Sequence, residues 1–193
     1  MNVTKNQVQR VMRASVWGRR ISTALIGMTV ASLVVVLFVL ITGKPLTNFK
    51  FSISAYVFTQ DSLTRLPVKV WIVSFFLIAT TLGIGWLYLL RTVFANLARG
   101  EIFCEANVRH IRNMGLLIIA GGLLVWIAPL ANATIFMFAG HDGIESRATP
   151  FIQDGLGSFA YGGLLIFLSW IMAVGLGVRE DAEKLRHDAE LVI

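Results

Sequence analysis

Four stretches of this chain are apolar for more than twenty residues each: 21–42, 68–90, 114–138 and 156–178. A hydrocarbon layer about 30 Å thick is crossed by roughly 20 helical residues rising 1.5 Å apiece. None of the four contains Asp, Glu, His or Arg. Lys69 is their single charge, at an edge where its ammonium can reach polar surroundings. The pattern predicts an all-α membrane protein, a four-transmembrane-helix bundle forming one domain over residues 1–193. The first stretch reads as a retained span: its apolar core is too long for a signal peptide, and no A-x-A site follows it.

Between the spans the pattern changes period. Residues 48–58, NFKFSISAYVF, alternate, with Phe49, Phe51, Ile53, Ala55 and Val57 on one side and Lys50, Ser52 and Ser54 on the other. Period two with aromatic and β-branched residues predicts a short β segment in the first connection. A lone strand is unstable, so it needs a partner from its own loop, from 139–155 or from a second copy. In the first eighteen residues, Val8, Val11, Met12 and Ser15 share a helical face, with Trp17 at an interfacial position. That segment reads equally as a helix lying on the membrane or as a plain basic flank.

The second connection is longer and more charged than a simple turn. Leu87, Leu90, Phe94 and Leu97 carry the apolar stripe of span two past its end, which predicts helix to Arg99. Gly100 is then the C′ residue in a left-handed conformation, with Ile102 or Phe103 as its apolar contact. A second helix starts with Cys104 as N-cap and Phe103 and Val108 as a hydrophobic staple. Glu105 suits the first turn and pairs with Arg109 four residues on. Val108, Ile111, Gly115 and Ile118 form a stripe that can face the first. The expected form is a helical hairpin extending spans two and three by about two turns, roughly 10–15 Å. The tail behaves similarly: Val178, Ala182, Leu185, Ala189 and Val192 make an a/d seam, expected to pack on something nearby. Its acidic surplus complements the basic surplus of the hairpin tip.

Composition and charge add the orientation. The chain is 56% hydrophobic and only 15% charged, against about 25% charged in soluble domains. Mean hydropathy is +0.73. Twelve of the 17 Lys and Arg residues fall in the N-terminal tail, the second connection and the C-terminal tail. The remaining five lie in or beside the first and third connections. By the positive-inside rule both termini and the hairpin are cytoplasmic. The net charge of +6 is accounted for by this asymmetry and anionic lipid, so direct nucleic-acid binding is not implied.

Candidate chemistry is sparse. Cys104 is the single cysteine, and His110, His141 and His187 lie outside the spans. No metal, cofactor or catalytic constellation is expected, and the chain is not expected to be an enzyme. His141, Asp142 and Glu145 read as a solvated loop. Asn132, Thr134, Thr80 and Thr81 are suited to hydrogen bonds between helices, and Pro129 to a kink in the third. Ala79/Gly83, Ser158/Gly162 and Ala173/Gly177 are small-xxx-small pairs for close helix contact, within the bundle or in a homo-oligomer. The Asn-x-Thr triplets at Asn2 and Asn132 are set aside as glycosylation sites: one is in the tail and one in a span.

Residues 100–115, GEIFCEANVRHIRNMG, resemble the signature of a bacterial membrane family called domain of unknown function 2975, of the form G-x-x-F-T/S-x-E-N-V-R-x-L-R-x-I-G. The matching positions are Gly100, Phe103, Asn107, Val108, Arg109, Arg112 and Gly115. Residues 189–193 are similar to the family's short E-L-T-V-like ending. The chain departs twice, with Cys104 in place of a Thr or Ser cap and the acid one place early at Glu105. The resemblance implies the same four spans over the whole chain and no established activity. Its genes lie beside small helix-turn-helix regulators, which implies a signalling partner. The combined expectation is a multi-pass inner-membrane sensor or regulatory partner. Its contacts with a protein partner or lipid would run through Glu105, Asn107, Arg109, Arg112 and Leu185, with Gly100 and Phe103 shaping the turn. The competing expectation is a small transporter or permease-like subunit.

Overall fold

A computed structural model of the protein describes residues 2–42, 51–53, 56–58, 66–139, 144–146 and 151–191. Four helices dominate it: α1 (Asn2–Thr42), α2 (Leu66–Ala98), α3 (Glu105–Ala139) and α4 (Phe151–Leu191). Each is long and apolar enough to cross a membrane. Burial is inverted relative to a soluble protein. Ser15, Ser22, Asn96, Asn107, Asn132 and Ser169 are buried, whereas Met28, Phe38, Ile41, Leu130 and Met137 are exposed. Water would not tolerate so large an apolar surface, but lipid does.

The helices pack in chain order, α1 on α2, α2 on α3 and α3 on α4. Among the described residues no comparable interface joins α1 to α4, so the expected bundle is an open series rather than a closed ring. The N-terminal segment is part of α1, continuous with the first apolar stretch. Pro129 lies inside α3, which runs unbroken through it.

Two residues of the sequence stripes flanking the second connection turn to the outer helices and not to each other. Phe94 of α2 lies against α1, its ring so close to Gly18 that a Cβ there would sit 2.8 Å away. Gly115 of α3 lies against α4, where a Cβ would be 2.6 Å from the Gly162 carbonyl oxygen. Phe94 and Gly115 therefore serve the outer neighbours, whereas Ile118 of the second stripe lines a groove shared with α2. Two side-chain hydrogen bonds across the α2–α3 interface come from other positions. Trp71 Nε1 donates to Asn132 Oδ1 at 2.7 Å, and Asn96 Nδ2 donates to Asn107 Oδ1 at 2.7 Å. Of the four polar residues expected to bridge helices, Asn132 does so. Thr81 and Thr134 bond the carbonyls of Leu77 and Leu130 in their own helices, the usual local alternative for a hydroxyl in a helix.

At the opposite end from the termini lie three short strands, β1 (Phe51–Ile53), β2 (Tyr56–Phe58) and β3 (Ile144–Ser146). They form an antiparallel sheet in the order β1-β2-β3, with Ile53 opposite Tyr56 and Val57 opposite Glu145. The alternating segment is thus two strands where the pattern suggested one, and the third comes from the connection between α3 and α4.

Candidate functional site

The turn between α2 and α3 is built from the residues that the sequence marked and from two that it did not. Gly100 has φ +84°, a conformation that costs a residue with a Cβ. Its amide donates to Leu97 O and the Glu101 amide to Asn96 O, each at 3.0 Å. These two bonds make a Schellman closure of α2. The carbonyl of Cys104 opens α3, accepting from the amides of Asn107 at 3.0 Å and Val108 at 3.3 Å. The Cys104 thiol does not cap that helix: Sγ lies 3.8 Å from Glu101 O.

Asn107 does the closing instead. It is buried, and its Nδ2 donates to Glu101 O at 2.7 Å and Ile102 O at 3.1 Å. Its Oδ1 accepts from Asn96, whose own Oδ1 accepts from the Arg99 guanidinium at 3.1 Å. The three bonds that Asn107 makes satisfy amide atoms that burial would penalise if they were left alone. Asn107 therefore holds the turn from within and does not share the surface with the other residues proposed as contacts. Asn96 was missed by the sequence reading. Its signal was its spacing, three residues after Val93 on the same buried face.

The other marked residues are at the surface. Glu105 and Arg109 form an exposed pair at 3.6 Å, and Arg112 is exposed on the next turn of α3. Phe103 is half exposed, and its ring stands 4.0 Å from where a Cβ on Gly175 of α4 would be. It leans toward α4. Leu185 lies in the tail of α4, 71% exposed. Beyond Gly175 the helix runs on straight past the turn, so the tail does not fold back onto it. Among the described residues its ion pairs are internal: Arg179–Glu183, Lys184–Asp181 and Arg186–Glu190. Val192, His141 and Asp142 lie outside the described residues. Among the described residues no group of three or more His, Cys, Asp or Glu is placed to hold a metal ion.

Four apolar helices of membrane-crossing length, packed up and down, are the architecture of a helical membrane protein. The chain belongs to the family described as protein of unknown function (DUF2975), which matches residues 54–193. The match takes in α2, α3 and α4 and leaves α1 before it, a shorter span than the whole-chain likeness suggested. No curated protein and no solved structure matches the chain.

Proposed function

We propose that this is a multi-pass protein of the bacterial cytoplasmic (inner) membrane, with both termini inside. It acts without catalysis, as a membrane-anchored sensor or regulatory partner. Its working face is the cytoplasmic end: the 99–104 turn, the first turns of α3 and the tail of α4. The observation that carries this reading is the gathering of twelve basic residues on the termini and the turn, with Arg109 and Arg112 exposed beside a turn held rigid by buried bonds. Anionic lipid is one ligand for those arginines. A soluble protein with an acidic surface is the one proposed here.

Photoreactive groups at positions 109 and 112 test it in living cells. The expected result is capture of one defined soluble protein, lost when residues 179–193 are deleted. Capture of lipid and the protein's own chain alone would overturn it.

A second reading, a small transporter or permease-like subunit, draws on a groove of about 380 Å³ between α2, α3 and α4, lined by Phe75, Gly83, Trp86, Leu117, Gly121 and Ser158. Trp86 Nε1 is buried there with no hydrogen-bond partner among the described residues. Failure of the capture experiment moves this reading ahead.

A further inference from the structure

The outer face of α4 is one apolar stripe that passes through two different environments. Leu164, Leu168 and Ile171 are exposed along it, followed by Val178, Ala182, Leu185 and Ala189. Their spacing alternates four and three, apart from the step over Gly175, which falls on the same stripe. The α3 contact uses the opposite side of the helix, through Gly162 and Ile166. Lipid can cover the upper part of such a stripe. It cannot cover the lower part. Gly162 crosses Gly115, and Gly175 lies by Phe103 at the turn. The stretch of α4 between them therefore runs beside the part of α3 that exposes Arg112, Arg109 and Glu105. Residues 179–191 then continue about 20 Å beyond the turn at 1.5 Å per residue. Residues 178–190 are all exposed. A free helix of this length is marginal in water, and a seam of Val178 and Leu185 would be bare.

The charges flanking the seam identify what covers it. With Val178 and Leu185 at d and Ala182 and Ala189 at a, Arg179 and Arg186 occupy e, and Asp181 and Asp188 occupy g. In a parallel pair, g of one helix meets the following e of the other, so Asp181 meets Arg186 of the second copy. In an antiparallel pair, g meets g and e meets e, setting Asp against Asp and Arg against Arg. Two copies inserted in the same membrane orientation are parallel by necessity.

We propose that α4 is the dimerisation element of this protein, its stripe from Leu164 to Ala189 pairing in parallel with the same stripe of a second copy. From Gly175 onward the a positions are small, Gly175, Ala182 and Ala189, and let the two backbones approach, and Phe103 borders the seam. Within one chain Arg186 lies 3.3 Å from Glu190 and Lys184 3.7 Å from Asp181. Those pairs are exposed and weak, so they yield readily to a partner helix. The inference rests on the single membrane orientation proposed above and not on the soluble partner.

The test uses two differently tagged full-length copies co-expressed in cells, both carrying Cys104→Ser. Single cysteines are placed at Leu185 or Ala182 on the seam, and at Glu180 or His187 on the opposite face. A short bis-maleimide is applied to inverted membrane vesicles. The expected result is a cross-linked dimer containing both tags, several-fold stronger from Leu185→Cys and Ala182→Cys than from Glu180→Cys and His187→Cys. Asp181→Arg in the Leu185→Cys chain should lower that yield, and adding Arg186→Asp should restore it. Equal yields from both faces, no dimer from any position, or a product joining Leu185→Cys to some other protein would overturn the proposal. So would a double reversal no better than the single one. Because the soluble partner is read by capture at positions 109 and 112, either result can fail while the other stands.

Discussion

At the residue scale, the turn between α2 and α3 rests on two residues that do different jobs. Gly100 supplies a backbone conformation, and Asn107 supplies three hydrogen bonds from one buried amide. Asn107→Ala strips donors from the carbonyls of Glu101 and Ile102 and the acceptor from Asn96. A cost on the order of 1–3 kcal/mol follows for leaving such groups unmet. Gly100→Val forces a β-branched residue to positive φ, at roughly 1 kcal/mol or more. Both act on one structural unit, so their effects should be less than additive. Thermal unfolding of the purified protein and its two single and one double variants checks this. Full additivity would mean that the two residues hold separate features. Gly100 was legible in the sequence because glycine after an apolar stripe marks a helix end. The role of Asn107 was not, because an asparagine between arginines looks like surface until its partner eleven residues earlier is placed beside it.

At the element scale, the close approaches decide where the helices cross. Backbone meets backbone where Gly115 passes Gly162, and a Cβ on either would fall within 2.7 Å of the other's carbonyl oxygen. A carbonyl cannot move aside as a side chain can. Gly115→Ala should therefore separate α3 from α4 and lower the melting temperature. Gly83→Ala is the contrast: nothing lies within 4 Å of its Cβ position, and alanine favours a helix over glycine by about 0.5–1 kcal/mol. Its melting temperature should be unchanged or higher. Equal losses in the two variants would refute the crossing point. The same geometry explains what the stripes could and could not tell. A helix in the middle of a series buries two faces, and periodicity reveals the larger or more regular one. For α2 that was the Phe94 face toward α1, so the side on which Asn96 meets α3 went unread. Span existence and the helix ends near Gly100 and Cys104 were legible because length, capping and apolarity are local. Which stripe meets which helix is not local, and a single sequence does not hold it.

At the scale of the whole molecule, one end gathers both termini and the 99–104 turn, and the other gathers the small sheet. The up-and-down packing of four helices produces that division whatever the sidedness. The proposed sidedness rests on charge: twelve basic residues at one end against five at the other. The proposed partner docking requires the basic end to face the cytoplasm, and the pairing through α4 requires that every copy share one orientation. Glu101 is exposed at the apex of the turn, so a cysteine there reports sidedness without the shielding that affects Cys104. The decisive measurement labels Glu101→Cys, in a Cys104→Ser background, with a membrane-impermeant maleimide, using Thr47→Cys as the opposite-side control. The account predicts labelling of position 101 in inverted vesicles and none in intact spheroplasts, with the reverse at position 47. Labelling of position 101 from outside intact spheroplasts would contradict it.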